Sequence, residues 1–154
     1  MNCRMTLAGG QGDYLLGSSD AEHQRLIRQA IRLAPVTESF FREAGIGPGQ
    51  HVLDLGSGVG DVAMLVARLV GPSGEVVAIE RDAGSISRAR GRMAETGLHN
   101  VKFVESDIAH FSTDTRFDAV VGRYILQFLP DPVATLRSLS EKVRPGGIIA
   151  SEIK

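Results

Sequence analysis

The sequence has little of what stabilises or anchors many extracellular proteins: it contains one cysteine, Cys3, and no tryptophan. A single cysteine excludes an intrachain disulfide and a zinc site built from several thiolates, and it suits a reducing compartment. The longest apolar run, residues 62–67, is far shorter than the roughly 20 residues of a membrane span. The N-terminal stretch MNCRMTLAGG lacks the apolar segment of a signal peptide. We therefore expect a cytoplasmic protein without membrane association.

The sequence also lacks an excess of charge of either sign. It contains 17 basic and 18 acidic residues, for a formal net charge of -1. This balance provides no electrostatic basis for binding nucleic acid or an anionic membrane. Four histidines are scattered along the chain, and none forms a metal-binding pair at helical spacing. We therefore expect a small-molecule ligand, with neither nucleic acid nor a bound metal.

Glycine is abundant in the sequence, and a glycine-rich N-terminal stretch is distinguished from the rest of the chain. Residues 1–18 are glycine-rich and polar, and they are interpreted as an N-terminal arm or lid. Residues 19–154 then form one domain. Apolar residues recur at helical spacing from Asp20 onward, and Pro35 is expected to break or kink this helix. A second helix is predicted from Val36 to Ala44, with Gly45 as its stop signal.

Five apolar, β-branched runs follow, and helical segments alternate with them. The predicted strands are residues 51–55, 75–80, 101–105, 117–121 and 148–153, and the predicted helices are residues 61–70, 84–97 and 131–143. This alternation is typical of an α/β fold with a doubly wound, mainly parallel sheet. Ligands of such sheets bind beyond the carboxyl ends of the strands, so the residues that follow each strand are the candidate site.

Asp54 lies near the end of the first predicted strand, and the glycine-rich stretch Gly56-Ser57-Gly58-Val-Gly60 follows that strand. Glycines here permit a tight turn and close approach of a ligand to the backbone. A dinucleotide fingerprint would read G-x-G-x-x-G, whereas the third glycine here comes one residue early. A carboxylate at Asp54 would also repel a pyrophosphate, and it suits a ligand that carries an ammonium or sulfonium group.

Two further acidic residues end the next strands. Glu80, after the second strand, is placed to accept both hydroxyls of a ribose. Asp107, after the third, is placed to accept from an adenine amino group, with Ile108 covering the ring. S-adenosylmethionine meets all these demands. Each residue also has a structural interpretation: Asp54 as a loop cap, Glu80 as a solvated strand end and Asp107 as the N-cap of a short helix.

With these motifs in order, the chain resembles the class I S-adenosylmethionine-dependent methyltransferases, from about Tyr14 to its last residue. The resemblance rests on VLDLGSGVGD, VVAIERD, FVESDI, FDAVVGRYILQFLPDP and LSEKVRPGGIIASEI, and on the N-terminal segment YLLGSSDAEHQRLIRQA, which is similar to that of small-molecule members. It implies a Rossmann-like methyltransferase fold with N-terminal helices, here without the last two strands that such domains usually contain.

The resemblance also implies residue roles. Gly56 and Gly58 would pass close to the methionine part of the cofactor, and Asp54 would order its ammonium group. Glu80 would bind the ribose hydroxyls. The implied cofactor contacts are completed by Arg81 beside the adenine, Asp107 and Ile108 at the adenine, the backbone around Gly122 and Arg123 at the methionine end, and Tyr14 in the cover. Arg123 is equally interpreted as a salt-bridge partner, and Tyr14 as a packing residue.

Two functions follow from these features. The first is a methyltransferase that acts on a small molecule. The second is a non-catalytic S-adenosylmethionine-binding fragment or regulatory module, while an NAD-dependent oxidoreductase is disfavoured by Asp54 and by the glycine spacing. No catalytic residue is identified. Residues Tyr124, Gln127 and Phe128 follow the fourth strand, where they would either meet a substrate or pack.

The fifth predicted strand has a consequence for assembly. Without further strands it would form an apolar sheet edge with unpaired backbone groups along Ile148 to Ile153. Such an edge favours pairing with another chain. We therefore expect a homodimer, or a strand exchange, that covers it.

Overall fold

A computed structural model of the chain describes residues 19–154, so the predicted arm at residues 1–18, including Tyr14, lies outside the described residues. No helix in residues 19–154 is both long enough and apolar enough to cross a membrane. The helices are α1 (Asp20–Ala44), α2 (Asp61–Val70), α3 (Ala83–Ala94) and α4 (Pro132–Ser140); the strands are β1 (His51–Leu55), β2 (Glu75–Glu80), β3 (Val101–Glu105), β4 (Phe117–Arg123) and β5 (Val143–Glu152); single 3-10 turns span Ile108–His110 and Leu126–Phe128.

The five strands form one sheet in the order β3-β2-β1-β4-β5. All four strand pairings are parallel. The first strand along the chain, β1, lies at the centre of the sheet. The chain then passes outward through β2 to β3, and it crosses to β4 on the other side of β1. The strand order therefore reverses between β1 and β4, which confirms the predicted doubly wound α/β fold and creates the crevice in which such sheets bind ligands.

Apolar side chains cover both faces of the sheet. Val52 and Leu53 are adjacent in β1 and both are fully buried, but they belong to different clusters. The larger cluster includes Val52, Val66 of α2 and Phe41 of α1, and the smaller one includes Leu53 and Leu139 of α4. Because successive residues of a strand point to opposite faces, this double burial explains why the strands are apolar throughout rather than alternating.

Helix α1 is one continuous helix of 25 residues, with Pro35 in its interior. The prediction of a break at Pro35 and a separate second helix is therefore wrong. Pro35 is exposed, whereas Thr37 and Phe41 beyond it are fully buried. Packing of that buried face continues the helix despite the backbone hydrogen bond that proline cannot donate. The predicted stop at Gly45 is confirmed, since Gly45 adopts the left-handed conformation with φ 99°.

Strand β5 begins at Val143, five residues earlier than expected, and it includes Pro145 and the two glycines that follow it. The pairing of β4 with β5 shifts register between Phe117 and Ala119. A side chain at Gly147 would collide with the Val143 side chain and with the backbone oxygen of Asp118. Glycine there permits an irregular start to the strand, after which the regular pairing continues to Glu152.

Candidate functional site

A cavity of about 750 Å³ lies beyond the carboxyl ends of the strands, where the strand order reverses. Helix α1 and the connections that follow β1, β2, β3 and β4 all contribute to its wall. The structure thus brings most of the predicted site residues together. The cavity is lined by Asp54, Gly56, Ser57, Gly58, Glu80, Arg81, Asp107, Ile108 and Arg123.

The glycine-rich loop after β1 has the backbone conformation that its sequence indicates. Gly56 and Gly58 have φ values of 61° and 53°, and the Ser57 N–H donates to the Ile79 carbonyl at 2.9 Å. A Cβ atom at Gly58 would meet no other atom, whereas one at Gly56 would lie 2.6 Å from Cδ1 of Ile125. Gly58 therefore leaves room for a ligand against the backbone, and Gly56 leaves room for a neighbouring side chain.

Gly60 does not line the cavity. It has φ 90° and lies immediately before α2. A Cβ atom there would lie 3.1 Å from Cβ of Ala89 in α3 and 3.4 Å from the ring of Phe103 in β3. The structure therefore places this third glycine at a packing contact between α2 and its neighbours, away from the ligand cavity.

Asp54 is almost completely buried, with 1% of its surface exposed. Its Oδ2 atom has no hydrogen-bond partner within residues 19–154. Burial raises the pKa of this carboxyl from 3.8 to about 8; the charge of Arg123 opposes the rise, and those of Glu80 and Asp61 add to it. A buried polar atom without a hydrogen-bond partner lowers the stability of the folded protein by about 1 to 3 kcal/mol. This position therefore favours a ligand that donates a hydrogen bond or carries a positive charge.

Glu80 is held by three backbone N–H groups. Its Oε2 accepts from Gly58 at 2.8 Å, and its Oε1 accepts from Arg81 at 2.9 Å and from Asp82 at 3.1 Å. A carboxylate offers about four acceptor positions, so capacity remains for ligand hydroxyls. The structure therefore fixes an anionic acceptor over the loop that follows β1.

Asp107 caps a short turn, as one of its two interpretations held, and its contact with adenine stays a prediction. Its Oδ1 accepts from the Ala109 N–H at 2.8 Å, which caps the 3-10 turn Ile108–His110. The side chain also lines the cavity, as does Ile108, which packs against the smaller apolar cluster. The cap fixes the direction of the carboxyl group while its second oxygen stays available for a ligand.

Arg123 forms no salt bridge within the described part of the chain, so its interpretation as a salt-bridge partner is not supported. Its guanidinium Nη1 donates to the Thr37 hydroxyl of α1 at 3.4 Å. Beyond it, Tyr124 has the left-handed value φ 58°, and its N–H donates to the Glu152 carbonyl at 2.8 Å. This turn directs the chain from β4 along the wall of the cavity.

Part of the cavity wall was not anticipated from the sequence. Tyr124, Gln127 and Phe128 line the cavity, and contact between them and a substrate stays a prediction. Helix α1 adds Glu22, Arg25, Leu26 and Gln29, and Lys154 also contributes. The segment YLLGSSDAEHQRLIRQA, on which the resemblance partly rests, contains these α1 residues, but the sequence analysis singled out none of them as a cavity residue.

The chain is similar to known methyltransferases in sequence and in structure. A profile described as a methyltransferase domain matches residues 46–153. The arsenite methyltransferase of Halobacterium salinarum is 33% identical over 108 residues, which cover 70% of this chain and 28% of that protein. The ubiquinone/menaquinone biosynthesis C-methyltransferase UbiE of Pseudomonas paraeruginosa is 34% identical over 106 residues, which cover 68% of this chain and 41% of that protein. A solved S-adenosylmethionine-dependent methyltransferase from Aquifex aeolicus is 27% identical, with a TM-score of 0.67 over 74% of this chain and 62% of that chain.

These matches define the class of protein. The chain belongs to the class I S-adenosylmethionine-dependent methyltransferase family. The resemblance, the Rossmann-like fold and the cofactor type that the sequence predicted are thereby confirmed. The chain spans 28% and 41% of the lengths of these two curated relatives.

Gly56→Ala is expected to disturb the cavity wall. The new methyl group would meet Ile125, and alanine disfavours the φ of 61° found there. We expect a loss of about 1 to 3 kcal/mol in the free energy of unfolding, measured by urea denaturation. Gly91→Ala, in α3 and with open space around it, is the control and should be neutral or slightly stabilising. Equal losses in both variants would contradict this account.

The raised pKa of Asp54 predicts a pH dependence of stability. In the folded state the carboxyl stays protonated up to about pH 8, whereas in the unfolded state it ionises near its ordinary pKa of 3.8. Its contribution to stability is therefore complete below that lower pKa and is lost as the pH rises toward 8, by roughly 1 kcal/mol per pH unit. Asp54→Asn removes this titration, so the variant should gain stability relative to the wild type between pH 5 and pH 8.

Denaturation at several pH values measures this difference, and a constant difference would contradict the prediction. Asp118→Asn is a control of opposite sign. A hydrogen bond from the His51 backbone, together with Arg144, lowers the pKa of Asp118. The contribution of Asp118 to stability is present above the ordinary carboxyl pKa and is lost as the pH falls through the lowered value. The free energy of unfolding of Asp118→Asn should therefore be closest to that of the wild type at acid pH.

Proposed function

We propose that this chain binds S-adenosylmethionine in the cavity at the carboxyl ends of its strands and transfers the methyl group to a small organic molecule. One juxtaposition carries the proposal. The unpaired, buried carboxyl of Asp54 and the anchored carboxylate of Glu80 line the same cavity. Together they suit a ligand with a cationic amino-acid end and a ribose.

The remaining contacts fit an adenosine group. Glu80 accepts hydrogen bonds from the ribose hydroxyls, as an acidic residue at the end of the second strand does in related folds. Asp107 accepts from the adenine amino group with the oxygen that its cap leaves open, and Ile108 covers the ring. The open space at Gly58 lets the ligand approach the loop backbone closely. Tyr14 stays a predicted part of the cover.

S-adenosylmethionine supplies an activated methyl group, so the protein residues mainly bind, orient and exclude water. Leu26 of α1 and Phe128 of the second 3-10 turn contribute apolar surface to the cavity. Apolar walls of this kind reduce the access of water to a bound ligand. A general base is required only if the acceptor loses a proton during transfer, and we assign this role to no residue.

The lining favours an organic acceptor over arsenite. Trivalent arsenic is a soft centre that suits thiolate ligands, and no cysteine is among the cavity-lining residues of the described part of the chain. By contrast, the cavity wall contains the apolar side chains of Ile125, Phe128 and Leu129. Of the two types of relative, the carbon-methylating enzyme is therefore the better guide to the chemistry of the acceptor.

A non-catalytic cofactor-binding module is the second candidate. The chain spans less than half of each of the two curated relatives, and the predicted cofactor residues from Asp54 to Arg123 lie within residues 46–153, which match the methyltransferase profile. Both functions require the cofactor to bind, and only the first produces turnover. Transfer of labelled methyl groups to a panel of phenols, quinols and amines separates them.

The binding of S-adenosylhomocysteine tests the part that both functions share. We expect the wild-type chain to bind it in calorimetry and to show no binding of NAD. Glu80→Ala should weaken this binding by about 10-fold to 100-fold, because hydrogen bonds to a charged acceptor contribute about 1.5 to 3 kcal/mol.

Glu75→Ala is the matched control, since Glu75 is exposed at the opposite end of the same strand. It should bind S-adenosylhomocysteine as the wild type does. A folded wild-type chain that fails to bind, or a Glu80→Ala variant with unchanged affinity, would contradict the proposed site.

Self-association through β5 also stays a proposal. Within residues 19–154, β5 pairs only with β4, and Ile149 and Ile153 are 40% and 71% exposed. Sedimentation velocity is expected to show a dimer, and Ile149→Lys should shift it toward monomer by adding charge beside the edge. Val133→Lys, at an exposed position of α4, is the control. A monomeric wild type at high concentration would contradict the proposal.

A further inference from the structure

A buried histidine joins helix α1 to helix α3, next to residues that line the cavity. His23 of α1 is 3% exposed, and its Nε2 atom lies 3.3 Å from the hydroxyl of Ser85 in α3, which is 1% exposed. The two helices also share an ion pair of Arg88 with Asp20, but this pair is long at 3.5 Å and the aspartate side chain is 92% exposed. Water screens such a surface pair, so the buried contact of His23 with Ser85 is the stronger of these two polar links.

Ser85 connects this contact to Asp82, the residue that caps α3. The Ser85 hydroxyl donates to Oδ2 of Asp82 at 2.7 Å, and the Ser85 backbone N–H donates to the same oxygen at 2.8 Å. A hydroxyl has one proton and a carboxylate only accepts, so the proton of the Ser85 hydroxyl points to Asp82. Nε2 of His23 must then carry a hydrogen and donate it to the hydroxyl oxygen. His23 therefore fixes the direction in which the Ser85 hydroxyl donates.

Asp82 is bonded in turn to a carboxylate that faces the cavity. Asp82 lines the cavity, and its N–H donates to Oε1 of Glu80 at 3.1 Å. Oε2 of the same carboxylate accepts from the N–H of Gly58 at 2.8 Å. The cap bonds hold the Asp82 backbone in an extended conformation, with φ -93° and ψ 112°, in which its N–H has this direction. A continuous series of hydrogen bonds thus runs from α1, through the start of α3, to the loop after β1.

We propose that His23 is a positioning residue for the carboxylate of Glu80, and that it acts through Ser85 and Asp82. Linked hydrogen bonds in a buried site strengthen one another, so loss of the first donor weakens the bonds that follow it. The Glu80 side chain then becomes less restricted and holds the ribose hydroxyls of a bound ligand less strongly. His23 itself is not among the residues that line the cavity. This inference rests on the proposed binding of S-adenosylmethionine there.

Two ligands separate the ribose contact from the rest of the site. S-adenosylhomocysteine has both ribose hydroxyls, and its 2′,3′-dideoxy analogue has neither. Calorimetry of the full chain with both ligands is compared for the wild type, His23→Ala, His23→Gln and Ser85→Ala. Asn100→Ala is the control for a loss of stability alone. Asn100 donates to two backbone carbonyls and immediately precedes β3, at the end of the sheet opposite to Glu80.

His23→Ala should weaken S-adenosylhomocysteine about 3-fold to 10-fold and leave the dideoxy analogue within about 2-fold of the wild type. Ser85→Ala should have the same selective effect. His23→Gln should restore most of the affinity, because the amide nitrogen of glutamine donates from nearly the position of Nε2. Asn100→Ala should lower the free energy of unfolding and change the affinity for neither ligand.

A double-mutant cycle tests whether the effect of His23 passes through Glu80. In the Glu80→Ala background, His23→Ala should weaken S-adenosylhomocysteine by less than about 2-fold, because the carboxylate that it positions is already absent. A full additional loss in this background would overturn the proposal. Equal weakening of both ligands by His23→Ala would also overturn it and indicate a structural role, and so would an unchanged affinity for S-adenosylhomocysteine.

A second variant keeps the test decisive if His23→Ala does not fold. His23→Leu then takes its place, since leucine fills similar space without a donor, and its comparison with His23→Gln decides the question. A folded wild-type chain that binds neither ligand would overturn the proposed function as well. A wild type that binds S-adenosylhomocysteine, with a loss of affinity in Glu80→Ala and none in His23→Ala, overturns this inference alone.

Discussion

The burial of one carboxyl group at the end of the central strand is the constraint on which the site depends. Asp54 lies between the buried residues Leu53 and Leu55 near the end of β1 and is itself 1% exposed, so water does not solvate it. A protein rarely keeps such a group without a partner, because the cost is a considerable fraction of its total stability. Strand order and loop conformation place Asp54 at the base of the cavity, where a ligand is the partner that the fold itself does not supply.

Helix α1 joins this site to the rest of the molecule. It packs across the sheet, closes one side of the cavity and reaches β5 through the bond between Thr37 and Glu152. The same helix tolerates Pro35 in its interior because its buried face continues past it. The most local feature of the sequence, a helix-breaking residue, is thus overruled by a tertiary contact.

Much of the fold could be predicted from the sequence, and so could the location of the site. Strands β1, β2 and β3 and helix α2 have the predicted boundaries, because each is a run of mostly apolar residues, and a glycine follows β1, precedes β2 and flanks α2 on both sides. The early position of the third glycine, Gly60, correctly indicated that this loop is not a dinucleotide-binding fingerprint. The function of Gly60 in packing against Ala89, the early start of β5 and the individual α1 residues that line the cavity were not predicted. Each depends on distant segments meeting in space, which periodicity and spacing do not encode.

The three N–H donors that hold Glu80 have an entropic consequence. A free glutamate side chain populates many rotamers, and fixing it costs up to about 2 kcal/mol. Here Gly58, Arg81 and Asp82 fix it before any ligand arrives. That conformational entropy is therefore lost during folding and not during binding. The loop after β1 and the end of β2 are joined by the same carboxylate, so a ligand meets a surface whose shape and charge are already in place.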